Sequence, residues 1–190
     1  MNETPPDTAL RERILDTALE LAELDSWEGV RLHQVAAHLG CGLADIQRHF
    51  REKEEIAEAW FDRADRAMLA ADVAAGLPVA ERWRDRLLAW LEALAPHHRV
   101  TRQMILVKLE PGHLHVQIPA LLRISRTVQW LREAAGIRDR LPRRAVTEAA
   151  QSAVFVAAFA RWLARERPER EATARFLDRR LAELARLGLI

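Results

Sequence analysis

Two short stripes of apolar residues, separated by one glycine, constrain the fold of this 190-residue chain more than any other feature. The first stripe, Leu32–Leu39, has apolar residues at i, i+3, i+4 and i+7. In the second, Leu43, Ile46 and Phe50 share one helical face. Gly40 lies between the stripes, where a sharp turn favours a residue that tolerates positive φ. The pattern predicts a helix-turn-helix, the device that most often places its second helix in the DNA major groove.

Helical periodicity extends through the rest of the chain, and no segment predicts a strand. We expect an opening helix from about Asp7 to Leu24, a long fourth helix from Lys53 to about Ala74, and five further helices before Leu187. Proline and glycine separate several of these segments, as is typical where helices end. The sequence therefore predicts an all-α fold of about nine helices, with a three-helix head in residues 1–52 and a helical bundle in residues 53–190.

Several motifs accompany the two stripes between Arg11 and about Asp65. They are the opening helix RERILDTALELAEL, the aromatic Trp27, the helix QVAAHLG, and the tail HF-x-x-K-x-x-I that contains Lys53. As a set they resemble the DNA-binding domain of TetR-type transcriptional regulators. The resemblance implies a TetR-like regulator that binds operator DNA, forms a homodimer and responds to a small ligand held by the bundle.

Seven residues in and beside the motif are the candidates for DNA contact: Arg31, Gly42, Asp45, Gln47, Arg48, His49 and Lys53. We expect Arg48 and His49 to project from the second motif helix, and the cations at positions 31 and 53 to hold phosphates. Asp45 and Gln47 stand where the family usually has Thr and Tyr. An aspartate faces phosphates badly, so its best role there is to accept a hydrogen bond from cytosine N4.

The net charge of the head opposes simple DNA binding. Residues 1–55 contain twelve Asp or Glu and six Arg or Lys, a net charge of −6, whereas the whole chain carries +1. Non-specific DNA affinity comes from neutralising phosphates, which an acidic head does poorly. Most of these acidic residues fall on the opening helix and the loop after it, while basic residues cluster around the motif. We therefore expect the distribution of charge to matter more than its sum.

Aromatic and methionine residues beyond the motif fit a chamber for a small apolar effector, as the resemblance implies. Binding pockets are mostly apolar with a few polar groups. The candidate lining residues are Met68, Trp83, Trp90, Met104, Trp130, Phe155 and Phe159. Thr127, Gln129, Ser152 or His115 would supply polar groups. The same helical spacing is also typical of plain core, and the sequence leaves core and cavity as open alternatives.

The two C-terminal helices predict a partner. The segment AAQSAVFVAAFA, within a helix from about Pro142 to Arg165, is apolar around most of its circumference and must be covered on two sides. In TetR-like proteins the last two long helices form the dimer interface. We expect that interface to include Ala153, Ala157, Phe176 and Leu181; the alternative is a central helix of a monomeric bundle.

Metal, redox and catalytic sites are not indicated. Cys41 is the only cysteine, so an intrachain disulfide is impossible. His113 and His115 have a strand-type spacing without accompanying cysteines or clustered carboxylates, which is unlike a zinc site. There is no Gly-rich phosphate loop or nucleophile motif, so we expect a non-enzyme without a cofactor. No window approaches the roughly 18 apolar residues of a membrane span, and we expect a cytoplasmic protein.

A second family shares the expected fold and supplies an alternative function. The C-terminal third resembles the TetR-fold lipid-binding proteins of coenzyme Q biosynthesis, in RRAV from Arg143 and in TARFLD from Thr173. The stretch WFDRAD from Trp60 is similar as well. Those proteins carry a separate membrane-docking helix after that region, which we do not expect here. Under this alternative the bundle holds an isoprenoid or another lipid of ubiquinone biosynthesis and the protein does not bind DNA.

Overall fold

The computed structural model describes the backbone of residues 6–108 and 114–190, and it is helical without a β-strand over that part of the chain. Its elements are α1 (Pro6–Leu24), α2 (Leu32–Leu39), α3 (Leu43–His49), α4 (Lys53–Ala70), α5 (Val79–Leu94), a 3-10 turn (Ala95–His97), α6 (His98–Lys108), α7 (Leu114–Ala135), α8 (Arg143–Leu163) and α9 (Arg170–Arg186). The predicted all-α fold is confirmed. Among these helices, none combines the length and apolar character needed to cross a membrane.

The described residues form two compact units. The first contains α1, α2, α3, the start of α4 as far as Asp62, and α6; the second contains the end of α4 from Arg63, together with α5, α7, α8 and α9. This division differs from the expected domains 1–52 and 53–190 because α6 packs against α1. The Arg99 guanidinium of α6 donates to the carbonyl oxygens of Ala22 at 3.1 Å and Asp25 at 3.3 Å. Helical periodicity alone carries no information about such a pairing across about 75 residues.

The core of the first unit joins α1 to the helix-turn-helix. Ile14, Leu15 and Leu19 of α1 are completely buried, as are Ile46 and Phe50 at α3 to within one per cent. Burying each of these side chains contributes roughly 1.5–3 kcal/mol. The predicted apolar stripes therefore form the inward faces of both motif helices, apart from Leu43.

Helix α4 ends at Ala70, four residues before the expected end at Ala74. The alanine-rich segment after it favours helix by propensity, but a tertiary contact occupies the last carbonyls instead. The Arg86 guanidinium of α5 donates to the carbonyl oxygens of Met68 at 3.0 Å and Leu69 at 3.2 Å. A cation at a helix C-terminus satisfies unpaired acceptors and interacts favourably with the helix dipole.

The core of the second unit is organised around α5, which packs against α7, α8 and α9. Its inward face buries Trp83, Leu87, Trp90, Leu91 and Leu94. These apolar side chains recur at helical spacing along one face of α5. The burial explains why α5 and its neighbours pack as one unit.

A buried polar cluster joins α7 to α8. Arg132 is almost fully buried and donates to Gln151 Oε1 at 2.8 Å, Asp139 Oδ2 at 3.1 Å and Thr147 Oγ1 at 3.2 Å. The Thr147 hydroxyl also donates to Asp139 at 2.8 Å, and this hydrogen bond, with the Arg132 charge, lowers the pKa of the Asp139 carboxyl. Gln151 Nε2 then donates to the Leu189 carbonyl oxygen at 2.9 Å, so the cluster reaches the residues after α9.

We expect Asp139→Asn to flatten the acid limb of the stability curve. A carboxyl whose pKa is lowered by folding contributes stability that is present above its unfolded pKa, near 3.8, and is lost as the pH falls through the lower folded value. The urea midpoint measured between pH 7 and pH 3 should therefore fall less in the variant than in the parent below about pH 4. Asp72→Asn, at an exposed position, is the matched control. Parallel acid limbs for parent and Asp139→Asn would contradict this assignment.

Candidate nucleic-acid interface

The turn between α2 and α3 is built on Gly40, as predicted. Its backbone is left-handed, with φ 65° and ψ 31°, where a residue with a Cβ is strained. The Gly40 amide donates to the Ala37 carbonyl oxygen at 3.2 Å, and the Cys41 amide donates to Ala36 at 3.0 Å. These two bonds form a Schellman motif, which satisfies the last carbonyls of α2 and sends the chain directly into α3.

Each motif helix begins with the same kind of cap. The residue at the third helical position accepts a hydrogen bond from the backbone amide that precedes the helix. Gln34 Oε1 accepts from the Arg31 amide at 3.1 Å in α2, and Asp45 Oδ2 accepts from the Gly42 amide at 2.9 Å in α3. The start of both helices is therefore fixed by a local side chain.

Both carboxylate oxygens of Asp45 have hydrogen-bond partners within the protein. One carboxylate oxygen accepts the Gly42 amide, and the other accepts the Arg48 guanidinium one turn later. These contacts, the amide hydrogen bond first, lower the pKa of Asp45. Both oxygens thus bind donors within the protein, and the expected hydrogen bond from cytosine N4 to Asp45 stays a prediction.

The two cations expected to hold phosphates bind the loop between α1 and α2 instead. Lys53 Nζ donates to the carbonyl oxygens of Trp27 at 3.1 Å and Glu28 at 3.2 Å, and lies 5.4 Å from the centroid of the Trp27 ring. Arg31 Nη1 donates to the carbonyl oxygens of Glu28 at 2.6 Å and Val30 at 3.3 Å. Partial burial lowers the pKa of Lys53. These donors close the loop between α1 and α2, and the expected phosphate contacts of Arg31 and Lys53 stay a prediction.

The outward face of α3 carries a different set of residues. Gly42, Gln47 and Arg48 are exposed there as predicted, while His49 is half-buried. Leu43, which the apolar stripe assigned to the core, is 54% exposed. A shallow groove of about 330 Å³ runs along this face, lined by Leu32, Leu43, Ala44, Ile46, Gln47, Phe50 and Arg51. Sequence reasoning missed Leu43 and Ala44, although their place at the first turn of the second motif helix was visible.

Five of the seven predicted pocket residues are buried in the second unit: Met68, Trp83, Trp90, Phe155 and Phe159. The Trp90 ring makes edge-to-face contacts with Phe155 at 5.2 Å and Phe159 at 5.1 Å between centroids. Met104 is buried in the first unit instead, and Trp130 is 52% exposed on α7. The expected place of these two residues in the pocket is corrected. Met104 belongs to α6, which packs in the first unit, and Trp130 does not lie on the buried face of α7.

A polar group within this core was not predicted. The nearly buried Asp65 accepts hydrogen bonds from Trp90 Nε1 at 2.8 Å, Arg123 Nη2 at 2.9 Å and Thr127 Oγ1 at 3.1 Å. Thr127 was a candidate polar group, and it is satisfied by this carboxylate. An acidic residue three positions before the buried Met68 was the available signal. Gln129 is exposed and Ser152 half-buried, while His113 and the side chain of His115 lie outside the described residues.

The four residues predicted for a dimer interface divide into two groups. Ala153 and Ala157 are exposed on α8, and Phe176 of α9 is half-buried between the guanidinium groups of Arg161 and Arg180. Leu181 is only 2% exposed within the single chain. Leu181 is therefore corrected to a core residue, since a side chain already buried has little surface to give a partner.

Solved structures of known proteins share this fold. No family model matches the sequence. A TetR transcriptional regulator from Nitrosomonas europaea is 42% identical, with 93% of this chain and 98% of that chain covered and a TM-score of 0.80. A TetR regulator from Rhodococcus sp. RHA1 (19% identical, 93% and 96% covered, TM-score 0.63) and the TetR family regulator PfmR from Thermus thermophilus (21%, 90% and 97%, 0.56) share the fold.

One curated relative matches over a third of this chain. The HTH-type transcriptional repressor DrrR1 of Streptomyces coeruleorubidus is 32% identical over 62 residues, which are 33% of this chain and 23% of that protein. The chain therefore matches less than a quarter of that repressor's length. The lipid-binding alternative receives no support from these four relatives.

We expect Lys53→Ala to lower the stability of the first unit even in the absence of DNA. The variant leaves two loop carbonyls without their charged donor, and hydrogen bonds to charged groups contribute about 1.5–3 kcal/mol, less where solvent competes. Hydrogen exchange of the amides of α2 and α3 should be faster in the variant. Arg102→Ala, which removes an exposed cation from α6, is the control. Unchanged exchange in Lys53→Ala would show that its two hydrogen bonds contribute no stability.

Proposed function

Because this chain belongs to the TetR family of transcriptional regulators, we propose that it binds an operator DNA through α2 and α3, as a homodimer, and responds to a small apolar effector. The single observation that supports this most is the exposed face of α3, placed beyond a Schellman turn at Gly40. Such a turn is what presents the second helix of the motif to the major groove. A regulator of this kind acts in the cytoplasm, where operator DNA is found.

The acidic head does not oppose this function at α3 itself. Asp45 is paired with Arg48, and Glu55 Oε2 accepts the Arg51 backbone amide at 2.7 Å. Two acidic side chains next to the motif thus bind donors of the protein. Arg48 and Arg51 remain exposed beside them. The distribution of charge therefore supports an approach of α3 to phosphates that the net charge of −6 alone disfavours.

The outer surface of α8 supports the homodimer. Its exposed apolar residues between the basic ends of the helix form one stripe, defined here as the α8 outer stripe: Val146, Ala149, Ala153, Val156, Ala157 and Ala160. Small side chains allow a second helix to approach closely, and the stripe has no charged member. In a two-fold dimer the same stripe meets its own copy, and two heads then read two half-sites.

The second unit supports an effector site near Trp90. The ring cluster of Trp90, Phe155 and Phe159 is apolar, and Asp65, Thr127 and Trp90 Nε1 provide a polar group beside it. Apolar walls with a few polar groups are typical of ligand sites. An effector regulates only if it binds the DNA-competent and DNA-incompetent states with different affinity.

DNA binding is tested by selecting duplexes from a random library and measuring the affinity of the recovered sequence against salt. We expect the logarithm of the affinity to fall linearly with the logarithm of salt concentration, by about 0.9 for each phosphate neutralised. Arg51→Ala, at an exposed position, should weaken binding to every duplex and reduce the salt slope by about one, whereas Arg102→Ala should leave affinity and slope unchanged. Failure to enrich any sequence at low salt would refute the proposal.

The dimer is tested with Ala157→Glu, which places an unpaired charge on the α8 outer stripe. An unpaired buried charge costs on the order of 3 kcal/mol, equivalent to more than about a hundredfold weaker dimer. Sedimentation at micromolar concentration should shift from dimer to monomer. Ala9→Glu makes the same change at an exposed position of α1 and should remain dimeric. A monomeric parent protein, or an Ala157→Glu variant as dimeric as the parent, would contradict this interface.

A further inference from the structure

We propose that α3 reads A·T base pairs, with Leu43 and Ala44 contacting thymine methyl groups and Gln47 binding an adenine. This inference rests on the proposed operator binding and adds the chemistry of the bases that are read. It depends on which side chains the outward face of α3 presents, and on which of them are already bound within the protein.

The first observation is an apolar surface at the start of the reading helix. Leu43 is 54% exposed and Ala44 is exposed beside it, and both line the groove of about 330 Å³ on this face. In the major groove, the apolar group that distinguishes one base pair from another is the C5 methyl of thymine. An exposed leucine and alanine at this place therefore match thymine better than any hydrogen-bonding edge.

The second observation is the amide of Gln47. Gln47 is exposed and lines the same groove, one helical turn after Leu43. A glutamine amide carries a donor and an acceptor together, which pair with adenine N7 and N6 in a bidentate contact. One turn spans about 5.4 Å, or between one and two base-pair steps of about 3.4 Å. Leu43 and Gln47 can thus reach neighbouring A·T pairs.

The third observation concerns the competing readout of guanine. Arginine bound to guanine O6 and N7 is the commonest specific base contact. Arg48 is the arginine within α3, and its guanidinium is bound to Asp45. Asp45 in turn caps α3 by accepting the Gly42 amide at 2.9 Å. A bidentate guanine contact would compete with Asp45 for this guanidinium, and loss of the pair leaves an aspartate unneutralised beside the DNA.

The test uses the selected operator with single thymines replaced by deoxyuridine, which removes only the methyl group. We expect the Kd of the parent protein to rise about fourfold at each contacted thymine, the value of one buried methyl group. In Leu43→Ala the same replacement should have a smaller effect. Leu106→Ala, at an equally exposed leucine of α6, should keep the full sensitivity.

Gln47 is tested separately with 7-deazaadenine, which removes the N7 acceptor and keeps the base pair. The parent should lose affinity at the contacted adenine, and Gln47→Ala should show no further loss there. The effect of both base replacements on the Kd is measured first with the parent protein, so the result does not depend on the folding of any variant.

The outcomes separate this inference from the proposed function. A selected operator that binds with a steep salt dependence, but is insensitive to deoxyuridine at every thymine, overturns the A·T readout and leaves operator binding intact. A half-site whose recurrent positions are all G·C pairs does the same. Absence of any selected operator overturns both.

Discussion

The left-handed backbone at Gly40 is the constraint on which the candidate interface depends. It lets the chain leave α2 through two hydrogen bonds, from Gly40 to Ala37 and from Cys41 to Ala36, and enter α3 without a longer loop. Because the turn is this short, α3 has one orientation on the core formed by α1. Ile46 and Phe50 are then buried, and Leu43, Ala44 and Gln47 are left exposed.

Charged groups around the motif act mainly within the protein. Lys53 and Arg31 close the loop between α1 and α2, and Asp45 joins the Gly42 amide to the Arg48 guanidinium. Apart from the ion pair of Asp45 with Arg48, each of these contacts satisfies a backbone group that a short helix or a tight loop leaves unpaired. The outward face of α3 consequently presents apolar side chains and the Gln47 amide, with Arg51 beside them. The net charge of −6 in residues 1–55 is therefore not the charge of this face.

The second unit combines an apolar core with two buried polar clusters. Trp90 belongs to both kinds of environment, since its ring contacts Phe155 and Phe159 while its Nε1 donates to Asp65. The Arg132 cluster likewise joins two helices, because Arg132 of α7 donates to Gln151 and Thr147 of α8. Buried polar groups are costly when they lose a partner. Such clusters therefore restrict the arrangements that these helices can adopt.

Local pattern determined a large part of this protein from the sequence alone. The spacing of apolar residues predicted the helical fold and the helix-turn-helix, because a helical face repeats every three or four residues whatever lies against it. Gly40 was predictable for a similar reason, since the conformation it adopts is a property of one residue and its place between two helices. The burial of Trp83, Trp90 and Phe155 was also visible, although the sequence left core and cavity undivided.

Only the tertiary structure decided which partners these residues have. Leu43 and Leu181 have the same apolar character, yet one is exposed on α3 and the other is buried in the core of the second unit. From the sequence, Lys53 looks like a cation available to bind phosphate. In the structure its acceptors are the carbonyl oxygens of Trp27 and Glu28, about 25 residues away. Helix α6 joins the first unit through α1, which no periodicity encodes. Periodicity specifies the face that a helix buries, whereas the identity of the contacting element depends on distant segments that meet only when the chain folds.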